Sequence, residues 1–198
     1  GGRASASQEH DWATGLLAKI PLSSQYYAKG RYLLGLFEVL GQRDQLAVNY
    51  FQEVIRSTNP RVADEPDLAT RELAQLSLAR MHYTYQQFDK SIYYYNQINR
   101  NSPLWLTALF ESSWAFFRRG DFEKALGNLL TLHSPFFKSY YFPEAILIKA
   151  IIYFEACRYE EARGFTDDFL ARYRPLLAEL DKRASALEQS QGFSNFLD

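Results

Sequence analysis

Residues 106–132, LTALFESSWAFFRRGDFEKALGNLLTL, decide how this chain is read. Leu109, Ser113, Phe116 and Phe117 fall three or four apart. So do Phe122, Ala125, Leu129 and Leu132. That spacing puts each set on one face of a helix. Arg119-Gly120-Asp121 marks a tight turn between them. The small residues Ser113 and Ala125 let the two helices approach closely. The stretch therefore predicts a helical hairpin.

The hairpin recurs along the chain. When the second helices are aligned on a small residue, Ala13, Ala47, Ser91, Ala125 and Ala162 correspond, at separations of 34, 44, 34 and 37. Four residues later come Leu17, Phe51, Tyr95 and Leu129, with Thr166 departing. Seven residues later come Ile20, Val54, Ile98, Leu132 and Phe169. In the first helices Gly35, Ala79, Ser113 and Ala150 recur twelve before the aligned position. Pro21, Pro60, Pro103, Pro135 and Pro175 follow the units. A single hairpin cannot bury its apolar face, so repeated hairpins must stack.

This phase predicts a half repeat over 9–21, hairpins over 25–58, 68–101, 104–133 and 143–173, and an extra helix over 175–190. GGRASASQ (1–8) reads as a disordered lead-in, and 191–198 as a tail without a period. Asp11 and Asp44 are the expected helix caps. Pro175 is the expected end of the fifth unit. The connection over 58–67, TNPRVADEPD, is the longest break and exposes three acids. The first unit lacks its first helix and the last helix begins another unit. That is the pattern expected of a segment from a longer array.

Composition narrows the classes. The chain has 198 residues, 47% hydrophobic and 23% charged, with net charge −1. It can build a sizeable core and is not a disordered composition. Its two halves are nearly balanced in charge, which argues against a basic nucleic-acid module. The single cysteine, Cys157, forms no internal disulfide and fixes no compartment. No apolar run reaches the ~18 residues of a membrane span. The run 145–154 is short and contains Lys149, and it reads as a buried helix.

Catalytic patterns are not evident. His10, His82 and His133 have no partner at metal-ligand spacing. His82 takes a position that packs between helices; His10 and His133 fall at helix ends. Gly30, Gly35 and Gly41 follow no strand, so no phosphate loop is read. Arg80 and Arg118 are candidates for structural ion pairs with Glu144 or Glu155, and Arg118-Arg119 for a solvated pair at a turn.

The period of 34, with its small and apolar positions in phase, resembles the tetratricopeptide repeat (TPR) family over residues 11 to 175. Glu38, His82, Ser113 and Thr166 depart from the family's preferences. The resemblance implies an all-α fold, a right-handed α–α superhelix (solenoid) of helical hairpins. It implies a non-enzymatic scaffold without metal or cofactor, whose first helices line a concave groove. Groove candidates are then Tyr32, Leu36, Leu76, Arg80, Tyr83, Phe110, Trp114, Phe117, Leu147, Ile151 and Phe154. Their aromatic and aliphatic character suits an apolar or amphipathic segment of another protein. Phe110, Trp114 and Phe117 are the sharpest group. The alternatives are a structural spacer whose groove is self-filled, and an apolar groove for a lipid or small ligand. AVNYFQEVIRSTNP (47–60) resembles repeats of bacterial envelope TPR proteins that assist outer-membrane assembly, which implies a periplasmic or cell-envelope setting.

Overall fold

The computed structural model describes residues 6–61, 66–137, 140 and 142–189. Among them it is all-α: α1 (Ala6–Ala18), α2 (Tyr27–Leu40), α3 (Asp44–Ser57), α4 (Leu68–Thr84), α5 (Phe88–Tyr95), α6 (Trp105–Arg119), α7 (Phe122–Leu132), α8 (Glu144–Glu155) and α9 (Tyr159–Gln189). A 3-10 turn covers Pro135–Phe137. The chain divides into two compact units, Gly1–Asn128 and Leu129–Asp198, with the boundary inside α7. No described helix is long and apolar enough to cross a membrane.

The repeat is written most plainly in the turns. Gln42, Gln86, Gly120 and Cys157 have φ of 56°, 58°, 85° and 58°, the left-handed region. Each stands five residues before an aligned small residue. In each, the following N–H bonds back across the turn: Arg43 to the Glu38 carbonyl (2.8 Å), Gln87 to His82 (2.8 Å), Asp121 to Phe116 (2.9 Å) and Arg158 to Tyr153 (2.8 Å). This is the bond that closes a helix through a left-handed residue. Only Gly120 has the residue type that signals it. Side chains brace three of the same turns. Arg43 donates to the Glu38 carboxylate. His82 Nδ1 is hydrogen-bonded to Gln87 Oε1 at 2.8 Å. The Arg158 guanidinium lies 4.8 Å from the Tyr153 ring centre. Glu38 and His82, out of place as apolar positions, belong to this bracing.

In the first unit α1 packs on α2, α2 on α3, α3 on α4, α4 on α5 and α5 on α6. α2 also touches α4. The aligned small residues Ala47, Ser91 and Ala125 are fully buried. One core cluster joins Ala28, Ala47, Phe51, Val54, Ala74 and Leu78. The next joins Leu76, Ala79, Tyr95, Ile98 and Ala108. Gly35 is required: a Cβ there would lie 2.5 Å from Phe51 Cε1. The full burial of Phe51 is worth roughly 1.5–3 kcal/mol relative to leaving it in water. In the second unit α8 packs on α9 through Ala145, Ile148, Ile152 and Ala162.

Three expectations are corrected. The helix expected after Asp11 already begins at Ala6, so residues 6–8 are helical and Asp11 lies within α1. Residues 1–5 and 190–198, with the rest of the lead-in and the tail, lie outside the described residues. Asp44 does not precede α3 but is its first residue, accepting a hydrogen bond from the Tyr85 hydroxyl. Pro175 ends nothing: α9 runs through it as a single helix of 31 residues, so the extra helix over 175–190 is the second half of α9. Proline leaves the Ala171 carbonyl without its in-helix donor. Ala171 is exposed.

In the 58–67 connection, Asp64 and Glu65 lie outside the described residues. Asp67 caps α4, its carboxylate accepting from the Thr70 N–H (3.0 Å) and hydroxyl (2.7 Å).

Candidate functional site

Ser77, Arg80 and Thr84 lie on one face of α4, at steps of three and four residues. Two cavities open along that face in the first unit. One, of about 330 Å³, lies towards α2 and includes Leu36, Val39, Met81 and Tyr85. The other, of about 510 Å³, lies towards α6 and includes Tyr83, Tyr95, Glu111 and Trp114. Arg80 and Thr84 line both. Both volumes fall within the ~300–1,000 Å³ of pockets that hold small ligands or anchoring side chains.

Arg80 is fixed between the cavities. Its Nε donates to Glu111 Oε2 at 2.8 Å and its Nη2 to Oε1 at 2.6 Å. The buried Tyr95 hydroxyl donates to the same carboxylate at 3.0 Å. Burial pushes the Tyr95 phenol far up, with the Glu111 charge adding to it, so the hydroxyl stays protonated. Glu111 holds the Arg80 guanidinium charged. The charge is thereby neutralised within the fold, while half of the Arg80 side chain remains exposed. A face of this kind offers aromatic walls and one oriented cation.

The sequence-derived groove residues separate into groups. Leu36, Arg80, Tyr83 and Trp114 line the two cavities. Leu76 does not: it is 4% exposed, in the core with Tyr95 and Ile98. It sits four residues before Arg80, and α4 is wrapped closely enough that the apolar member of that face turns inward. Tyr32 packs on the buried Phe51, ring centres 5.6 Å apart. Phe110 is half-buried. Phe117 is held between Trp114 (6.1 Å) and Phe122 (5.7 Å), part of the α6–α7 turn. Leu147, Ile151 and Phe154 lie on α8 in the second unit. Leu147 is half-buried; Ile151 and Phe154 are exposed, and the Phe154 ring stands edge-on to Tyr159 at 5.3 Å.

The expected pairing of Arg80 with Glu144 or Glu155 is replaced by Glu111. Arg118-Arg119 is not simply solvated. Arg119 bridges Asp89 and Asp121, each at 2.7 Å, and Arg118 lies over the Phe88 ring. His82 is half-buried and stacked on Tyr94, ring centres 5.4 Å apart. The side chain of His10 lies outside the described ones. Among the described residues no three His, Cys, Asp or Glu side chains converge as metal ligands.

Sequence reasoning missed Glu111, Tyr95 and Thr84 as parts of the site. Glu111 lies next to Phe110 on a helix read for its aromatics, and only the ion pair from α4 to α6 shows what it meets. No protein-family model matches the chain, and no curated protein matches it.

Proposed function

We propose that the chain is a TPR-like scaffold, its hairpins stacked as in a right-handed solenoid, that binds a segment of another protein along the α2–α4–α6 face and supports assembly of a complex. The observation that carries this reading is the pair of adjoining cavities sharing Arg80, walled by Leu36 on one side and Tyr83 and Trp114 on the other. The occupant is an apolar or amphipathic segment, with one aromatic or aliphatic anchor per cavity. The mechanism is passive. Arg80 is already ordered by Glu111, so little side-chain entropy is lost when the segment docks. The four in-phase turns support the family resemblance, and the envelope setting rests on residues 47–60 alone.

A photo-crosslinking residue placed at Thr84 tests this in cells that make the protein. The expected result is one crosslinked partner segment, identified by mass spectrometry, and lost in the Tyr83→Ala/Trp114→Ala variant while that variant stays helical by circular dichroism. Crosslinks to no segment, or equal crosslinking in the variant, would remove the face as the binding surface.

A second reading has its own observation. Leu76, Tyr32 and Phe117 are taken up by the fold, as in a structural spacer whose groove is partly self-filled. On that reading Trp114→Ala lowers stability and changes no crosslink.

A further inference from the structure

The second unit contains a cleft that the groove reading does not use. It forms where the end of α7 and the residues after it meet α8 and α9. Two adjoining cavities, of about 550 and about 570 Å³, share His133 and Arg172. The first is walled by Phe137, Tyr140, Phe142 and Tyr173. The second runs past Lys149, Phe165 and Asp168. Phe165, Asp168 and Arg172 follow one another at steps of three and four along α9, so one helix face supplies them.

Lys149 is the unusual member. It interrupts the apolar helix α8 and is 8% exposed. Its ammonium lies 5.3 Å from the Phe165 ring centre. Among the described residues it has no hydrogen bond and no ion pair. Burial depresses its pKa, and the charge of Asp168 offsets this only in part. Asp168 is exposed. The Lys149 stem is buried, while the ammonium opens to the cavity and has no direct counter-ion. His133 donates from Nδ1 to the Leu129 carbonyl at 2.7 Å. Burial, then the charges of Lys149 and Arg172, hold its ring pKa down. Among the described residues, the charged groups that share the cleft with His133 are Lys149 on α8 and Asp168 and Arg172 on α9, and Tyr140 and Tyr173 line it too. Among the described residues, two cations and one acid line a cleft with an aromatic wall.

We propose that this cleft binds an oxyanion, carboxylate or phosphate, carried on an aromatic small molecule, the anion between Lys149 and Arg172 and the ring against Phe137, Tyr140 and Phe142. The anion supplies the partner that Lys149 lacks, and the aromatic wall gives the ring its contacts. Each cavity has the volume of a small-ligand site.

The test titrates the full chain with phenyl phosphate, phenylacetate, inorganic phosphate and benzyl alcohol. Binding is followed by calorimetry and by NMR of the His133 ring. Phenyl phosphate or phenylacetate should bind about tenfold or more tightly than either inorganic phosphate or benzyl alcohol. The tighter of the two identifies the oxyanion class. The bound anion should raise the His133 pKa, because it cancels the field of Lys149 and Arg172. Arg172→Gln, at an exposed position, should lose about tenfold in affinity or more. Lys149→Met should lose as much, and Lys149→Arg should retain binding. Three results would overturn the proposal: no saturable binding of either aromatic anion at millimolar concentration, benzyl alcohol binding as tightly as the anions, or unchanged affinity in Arg172→Gln.

Discussion

In the first unit Arg80 meets the Glu111 carboxylate through two nitrogens, with the Tyr95 hydroxyl on the same group. In the second, Lys149 meets the Phe165 ring and feels Asp168 only at a distance. Both cations stand beside aromatic cavities of similar volume, about 510 and 570 Å³. The difference lies in who supplies the negative charge. Where the fold supplies it, the cavity is left to recognise shape and apolar surface. Where the fold does not, an anion from outside is favoured. Residue type alone does not separate these cases, since each is a basic residue on a first helix of a hairpin.

The largest expected effect tests the support beneath the smaller cavity of the first unit, of about 330 Å³. Phe51 lines it from below and is fully buried against Gly35. Phe51→Ala should cost about 3–5 kcal/mol in denaturant unfolding, from lost transfer energy plus the space left behind. Gly35→Ala, which drives a methyl into that ring, should cost about 1–3 kcal/mol. A loss near zero for both would mean that α2 and α3 do not pack as described.

Glu111→Leu breaks the comparison directly. It strips the buried Tyr95 hydroxyl of its acceptor and should cost about 1–3 kcal/mol. Arg80 is left without its counter-charge, so the larger cavity of the first unit should also gain measurable affinity for phenyl phosphate. Lys149→Met is the mirror experiment. Lys149 has a buried stem and no direct counter-ion, so an apolar chain of similar length there should leave thermal stability equal or higher. A clear loss would show that Lys149 holds the fold together rather than serving a ligand.

The smallest expected effect is a pH slope. Burial holds both His82 and His133 below the ordinary 6.5. As pH falls, the unfolded chain takes up those protons first, so stability is fully present above about 6.5 and declines as pH drops through the lower native values. For His82 the opposing influences are a hydrogen bond to Gln87 Oε1, which raises its pKa, and the charge of Lys90, which lowers it. Thermal melts between about pH 7.5 and 5.5 should show a falling midpoint, and His82→Gln should flatten it. A midpoint that rises on acidification would reverse the assignment.

The helical class and the phase of the hairpins were legible because apolar spacing is a local signal. Ala47, Ser91 and Ala125 could be aligned by eye, and burial is what they share. The left-handed residue of the turn was legible only at Gly120. Gln42, Gln86 and Cys157 adopt the same left-handed conformation without a glycine to announce it, because the backbone bond across the turn outweighs their Cβ strain. Pro175 misled for the reverse reason: a residue that breaks most helices sits here on an exposed stretch that tolerates it. Arg80 and Trp114, singled out from their place on first helices, line a cavity. Leu76 was misassigned because a step of four residues does not say which neighbour helix covers a side chain. The Lys149 cleft was out of reach altogether. Its members span 132 to 176 and meet only after α8 folds on α9.

The most direct test of the central claim is the Thr84 crosslink read against two lining variants, Trp114→Ala and Leu36→Ala. If the α2–α4–α6 face holds a partner segment, each variant should stay folded and lose the same crosslinked peptide, Trp114→Ala more than Leu36→Ala because aromatic anchors dominate such interfaces. A crosslinked peptide that persists in both folded variants would contradict the account and move the interface off this face.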